Sequence, residues 1–250
     1  METDSIKQYQ IFTTNKLKVI ASIAMLFDHF VSVFFPHNAL ISLVFRLFGR
    51  TAAPIFCFFI AEGYHYTSNV KKYIGRLLIL AVISHFPYNL AFGYGLSILD
   101  ATSIIWPLAL GLIALAVFKN KDLHIIIRLL VIALCCALSY TANWFFVAVL
   151  WILVFGIFHE KRNLQLIGFF NVCLIYLFWQ LRRYGLFDEV YPQWFQYGIF
   201  LAIPLILMFN GKQGKKTKFM TWFFYIFYPF HLLCLFLLKR FSSFSGIFGG

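Results

Sequence analysis

The chain has 250 residues, of which 62% are hydrophobic and only 12% charged, with 33 phenylalanines and a mean hydropathy of +0.82. No soluble domain of this size carries that composition, which excludes a water-soluble enzyme and a disordered protein alike. The net charge of +12 lies in short loops flanking apolar runs, where topology and anionic headgroups account for it, so nucleic acid is not an expected partner.

Residues 1–16, METDSIKQYQIFTTNK, lack the ordered signal-peptide pattern of basic start, apolar run and small-residue cleavage site, so the first apolar segment is expected to be retained. A membrane-crossing helix needs roughly 20 mostly apolar residues. Such segments recur at 16–36, 51–67, 70–93, 100–118, 123–140, 143–159, 163–182, 193–210 and 219–238, separated by clusters of Lys, Arg, Gly, Pro and Asn. Between the first two, NALISLVFRLFG (38–49) is too short and too basic to span and reads as an interfacial or re-entrant helix. The expected fold is therefore all-α: a polytopic membrane bundle of about nine transmembrane helices plus that short helix. No internal repeat or second domain is visible, so residues 1–250 read as one integral membrane domain.

Lys and Arg in short loops mark the cytoplasmic side. With the N-terminus inside, Lys7, Lys16, Lys18, Lys71, Lys72, Arg76, Lys119, Lys121, Arg128, Lys161, Arg162, Lys212, Lys215, Lys216 and Lys218 are inner. That is fifteen of the 21 basic residues, leaving Arg46, Arg50, Arg182, Arg183, Lys239 and Arg240 outer. An even number of spans would put KKYIGR and KQGKKTK on opposite sides, so an odd count with the C-terminus outside is expected. The five cysteines, Cys57, Cys135, Cys136, Cys173 and Cys234, fall within apolar segments without CxxC or zinc spacing and read as packing residues. No metal is expected. P-loop, GxGxxG, HExxH, GxSxG and paired-Asp nucleotide-alcohol motifs are absent from the sequence.

Charged and titratable side chains within a membrane cost a few kcal/mol or more unless they face a bundle interior or a watery cavity. Asp28, Glu62, His29, His85 and His231 lie well inside apolar segments, with His65 nearer an end. Helical rise puts His29, His85 and His231 about 20, 22 and 18 Å above the inner ends of their segments, one shared level, so a common cavity is expected. Each also has a plainer reading as a helix-to-helix hydrogen bond, and Pro87 and Pro229 leave carbonyls that His85 and His231 are placed to cap. Adjacent helical residues point about 100° apart, so Asp28 and His29 must meet different neighbours. Arg46 and Arg50 stand i,i+4 on one helical face, able to reach a membrane acid or the carboxylate or phosphate of an acceptor. Glu62 is expected to pair with Arg76.

The stretches LKVIASIAMLFDHF, FRLFGRTAAPIFCFFIAEGYHYT, YIGRLLILAVISHFPYNLAF and FFYIFYPFHLL resemble the TraX family of bacterial membrane proteins, named after the pilin N-acetyltransferase of conjugative plasmids. The ordered run Gly49, Arg50, Pro54, Phe56, Glu62, Gly63 and Thr67 is the most specific part of the likeness. TraX proteins are similar in turn to membrane acyltransferases with an Arg-x10-His pattern in their first helix, matched here by Lys18 and His29 with lysine in place of arginine. The resemblance implies transfer of an acetyl group from cytosolic acetyl-CoA to an amine or hydroxyl acceptor on a peptide, glycan or small molecule, in a bacterial inner membrane. It makes His29 the general base, with Asp28 and His231 beside it in the catalytic set. Lys18, Lys72 and Arg76 then meet the acetyl-CoA phosphates, and Arg46, Arg50, Glu62 and His85 the acceptor. Membrane lipids are partners in any case, and a homodimer is compatible with the sequence. A proton-coupled transporter and a non-catalytic assembly factor are the competing readings, since intramembrane Asp, Glu and His also serve proton relays.

Overall fold

Ten α-helices and one 3-10 segment account for the elements of the computed structural model, which describes residues 10–97, 99–184, 193–215 and 217–245, with only the backbone of 218, 219, 221 and 242–245. The helices are α1 (Thr14–Phe34), α2 (Leu40–Gly49), α3 (Ala52–Tyr66), α4 (Val70–Phe92), α5 (Ile105–Lys119), α6 (Ile125–Leu138), α7 (Phe145–Ile157) and α8 (Arg162–Tyr184). A 3-10 segment, Trp194–Leu201, then runs into α9 (Ala202–Leu207), and α10 (Lys218–Ser245) follows. Every apolar segment read from the sequence is a helix. Both chain ends, Lys7 and Lys216 lie outside the described residues.

Local chemistry sets the boundaries. Thr13 caps α1 by accepting from the Lys16 amide, and the helix stops at Phe35, whose extended backbone (φ −119°, ψ 151°) is what the following Pro36 demands. The Asn69 side chain caps α4 at 2.8 Å, and Gly93, at φ 74°, closes its other end in the left-handed region.

Length separates the nine expected crossings into two groups. Among the described residues, five stretches are long and apolar enough to cross a membrane: Thr14–Phe34, Leu40–Tyr66, Val70–Phe92, Arg162–Tyr184 and Trp222–Phe241. The second joins α2 to α3, so the short helix is continuous in hydropathy with the segment it leads into. Helices α5, α6 and α7 hold 15, 14 and 13 residues, about 20–23 Å, short of the roughly 30 Å hydrocarbon core. The segment expected at 193–210 is broken into 3-10 and α turns, with Pro204 removing one backbone donor.

The contacts divide the chain into two compact units, the first from the chain up to Phe56 with Leu177–Tyr228, the second from Cys57–Tyr176 with the chain from Pro229 onward. In the first unit the residues before α1 are laced to those after α9: Phe12 and Asn210 exchange backbone bonds with Met208 and Phe12, and Thr14 donates to Lys212. Helix α2 packs on α1 and on the 3-10 segment, where Gly198 lies so close to the Leu47 carbonyl that a Cβ would overlap it. In the second unit α5 is the core, with α4, α6 and α7 packed around it. Gly111 admits the Ile152 side chain and Gly156 that of Leu115. Trp144, Trp151, Phe155 and Phe169 stack at centroid spacings of 5.3–5.5 Å beneath them. Because α5 and α7 are sheathed by neighbours, their apolar character reflects burial in protein as well as depth.

Whether the short helices cross decides the side of the α5–α6 loop, since four extra crossings leave the parity of the C-terminus unchanged. The basic residues predict that a Lys121→Cys substitution reacts with an impermeant maleimide only from the cytoplasmic side. Labelling from outside intact cells would limit the crossings to five.

Candidate functional site

In the first unit Asp28 sits in the second half of α1 and is 6% exposed, where burial leaves little solvent for a carboxylate. Its charge is met by Arg50, one Nη2 of which donates to both carboxylate oxygens at 2.9 and 2.7 Å, and by Arg46, whose Nε lies 3.8 Å from Oδ1. The Arg46 and Arg50 guanidinium groups in turn lie over the buried Phe195 ring, 3.9 and 5.2 Å from its centroid. The approach depends on Gly49, where a Cβ would overlap the Asp28 Cβ. Of the alternatives for the two arginines, the membrane acid is the one realised. Outside the helices, His37 Nδ1 lies 3.5 Å from Arg46 Nη1. Burial, and then the Arg46 charge, push the His37 pKa down, which favours the neutral ring that accepts this bond.

His29, also 6% exposed, faces elsewhere, its ring edge-on to Tyr228 at 6.4 Å. Lys18 lies eleven residues earlier, a separation that returns to within about 20° of the same face and about 16 Å along the helix axis. Its Nζ stands over the Phe224 ring at 5.3 Å. Phe224 and Tyr228 are i,i+4 on α10, neighbours on one stripe about 6 Å apart along that helix. The tip of Lys18 and the His29 ring are thus drawn to the same stripe of α10, while Asp28 is committed to α2 and its following turn.

In the second unit His85, 8% exposed, does not cap the Pro87 kink. Its Nε2 is 2.9 Å from the Leu96 carbonyl, and Asn89 Nδ2 donates to the Gly95 carbonyl at 2.8 Å, so the pair ties down the turn that follows α4. His85 also lines a cavity of about 430 Å³, but His231, buried at 4% exposure, is not in its wall. The shared cavity expected from depth is therefore not this one. Glu62 pairs with His159 Nε2 at 3.5 Å instead of the expected Arg76, whose guanidinium lies over Tyr73 at 5.6 Å. Lys72 and Arg76 are exposed at the start of α4.

His159 is the residue that sequence reasoning missed. Its ring stacks on His65 at 3.9 Å with 19° between planes, and His65 Nε2 bonds the Gly156 carbonyl at 2.9 Å. Burial, then the neighbouring His65, push the His159 pKa down. The i,i+3 placement of Glu62 and His65 was visible in the sequence. A partner 97 positions from Glu62 was not.

The model of the family described as TraX protein matches residues 13–239. Among curated proteins, one from Dichelobacter nodosus named "Probable fimbrial assembly protein FimC, serogroup H1" is 29% identical over 241 residues, covering 92% of this chain and 97% of its own. "Uncharacterized protein RP591" of Rickettsia prowazekii (strain Madrid E) is 28% identical over 215 residues, covering 80% of this chain and 79% of its own. No solved structure matches.

The ion pair predicts strong coupling in stability. Asp28→Ala leaves buried guanidinium charge without its carboxylate and should destabilise by about 3–5 kcal/mol, as should Arg50→Ala, while the double substitution should cost clearly less than the sum. Thermal unfolding of the four proteins in one detergent checks this. Additive losses would show that the pair contributes nothing as a pair.

Proposed function

The chain belongs to the TraX family, and on that premise we propose that it is an integral membrane acyltransferase, moving an acetyl group from cytosolic acetyl-CoA to an amine or hydroxyl at or across the membrane. The observation that carries this reading is the Lys18–His29 stripe on α1: a lysine tip and a buried imidazole drawn to the same face of α10, with the adjacent carboxylate engaged elsewhere. A histidine is the side chain best matched to accepting a proton near neutral pH.

In the proposed reaction the acceptor nitrogen or oxygen attacks the thioester carbonyl carbon while His29 takes the proton from the attacking atom. The tetrahedral adduct collapses, the carbon–sulfur bond breaks, and the coenzyme A thiolate leaves and is protonated. His231, buried three residues beyond Tyr228 on α10, is the second candidate for acid or oxyanion donor. Lys18 is proposed to meet the anionic donor, with Lys72 and Arg76 as exposed cations for its phosphates. Asp28 and Arg50 serve the fold, which leaves Arg46 as the better placed of the two arginines for an acceptor anion. Glu62 and His85, proposed from the resemblance as acceptor contacts, are held by His159 and by Leu96 respectively, and are weaker candidates.

The name of the Dichelobacter relative supports a pilus or fimbrial subunit as the acceptor, hence a peptide amine or hydroxyl. A bacterial inner membrane, with the N-terminus cytoplasmic and the C-terminus outside, is the proposed location. One observation favours a second reading: Glu62, His159 and His65 form a contiguous chain of titratable groups such as a proton-coupled transporter uses. Thermal stabilisation by acetyl-CoA separates the two, because a transporter of ions has no site for it.

His29→Ala should lower transfer of labelled acetyl from acetyl-CoA by about 10²–10⁴-fold while leaving acetyl-CoA stabilisation intact, since the imidazole moves a proton and holds no phosphate. Lys18→Ala should mainly weaken that stabilisation. Near-normal turnover by a folded His29→Ala protein would remove the base assignment and bring the transporter reading forward.

A further inference from the structure

The cavity in the second unit is walled by α4, by the residues leading into α5, and by the end of α6. Its volume, about 430 Å³, lies within the range of small-molecule sites. Several of its wall residues, Val82, Phe86, Leu99 and Leu138, are themselves exposed large hydrophobics. Val82 and Phe86 continue a row on α4 with Ile79, Ile83 and Leu90, all exposed. In a helix that must cross hydrocarbon, such a face is the one presented to lipid. The cavity mouth therefore opens from the bilayer and not from water, and an occupant enters sideways with an apolar body.

Of the polar groups in the wall, Thr102 and Thr141 lie 3.4 Å from each other and Trp106 donates to the Leu138 carbonyl, which leaves His85 and Ser103 for the head of that occupant. The Leu96 carbonyl can only accept, so His85 Nε2 donates to it, and Nδ1 has no partner among the described residues. Asn89 Nδ2 donates to the Gly95 carbonyl at 2.8 Å and also lies 3.2 Å from His85 Nε2, farther than the Leu96 carbonyl does. Ser103, 1% exposed, has a hydroxyl without a hydrogen-bond partner among the described residues, an arrangement that a native interior rarely keeps. A single ligand hydroxyl, which both donates and accepts, can meet the imidazole and the Ser103 hydroxyl from within the cavity. A bare hydrocarbon satisfies neither group.

We infer that this cavity is a binding site for a single-chain amphiphile with a hydroxyl head, such as a fatty alcohol, taken laterally from the bilayer. The inference stands apart from the proposed transfer reaction and uses none of its residues except His85, which is reassigned here from acceptor contact to headgroup contact.

The test uses the full chain in phosphatidylcholine vesicles containing a trace of a long-chain fatty alcohol with a diazirine in its chain, compared with the methyl ether of the same probe. Adducts are located by peptide mass spectrometry, with Ile175 and Phe178 on the exposed face of α8 as the bilayer reference. The alcohol should label the stretches around Ala81 and Ala137 more than the ether does, while the two label α8 alike. Ser103→Ala should lower the alcohol's preference by about 3–10-fold, the worth of one hydrogen bond, without altering the α8 signal. Ala81→Phe, which fills the cavity, should abolish the labelling there. Equal labelling of the cavity by alcohol and ether in the unaltered protein, or a preference indifferent to Ser103→Ala, would overturn the proposal.

Discussion

A carboxylate placed within an apolar helix must find a cation or lose its charge, and in this protein that demand organises the whole N-terminal arrangement. Asp28 meets Arg50 through two short bonds to one nitrogen, and the contact forms only because Gly49 lets α2 close onto α1. The excess positive charge, one carboxylate facing two arginines, is spread over the face of Phe195. That ring comes from the 3-10 segment, where Gly198 lies against the Leu47 carbonyl. Ion pair, ring and two glycines thus fix α1, α2 and the segment at 194–201 together. Replacing any one of them disturbs the others, because a buried charge tolerates little displacement.

The same constraint explains why two polar residues stand side by side in α1. Neighbouring positions diverge by about 100°, so one helix turn can serve two faces. Asp28 looks to α2 and the turn at Arg50, and His29 looks to Tyr228. The Asp28 carboxylate is committed to Arg50. Its engagement with arginine leaves the imidazole to the stripe it shares with Lys18. The ion-paired carboxylate and the proposed base are separated by rotation about a helix, with no separation in sequence.

Much of this was legible in the sequence, for definite reasons. Apolar runs punctuated by Pro, Gly and basic clusters located each helix because hydropathy and breaking residues act locally. The divergence of Asp28 and His29 followed from helical geometry alone, whereas the same geometry left Arg50 open between a membrane acid and an acceptor anion, and the fold supplied Asp28. Crossing number was less legible, because α5 and α7 are apolar from being enclosed in protein and look in sequence like lipid-facing segments. Partners across long separations were not legible. Nothing near Glu62 announced His159, and nothing near His85 announced that Leu96, on the turn beyond Gly93, would take its ring nitrogen.

The central claim, that Asp28 holds the fold while its neighbour does the chemistry, is tested most directly by exchanging the ion pair. In an Asp28→Arg/Arg50→Asp protein the charges are kept and their places reversed. Acetyl transfer and its pH dependence are then compared with those of the unaltered chain at matched thermal stability. If Asp28 is structural, the exchanged protein should retain transfer to within about tenfold, 1.4 kcal/mol in barrier, with the same acidic limb in its rate profile. A stably folded exchanged protein with transfer abolished would contradict the account and place the carboxylate itself in the reaction.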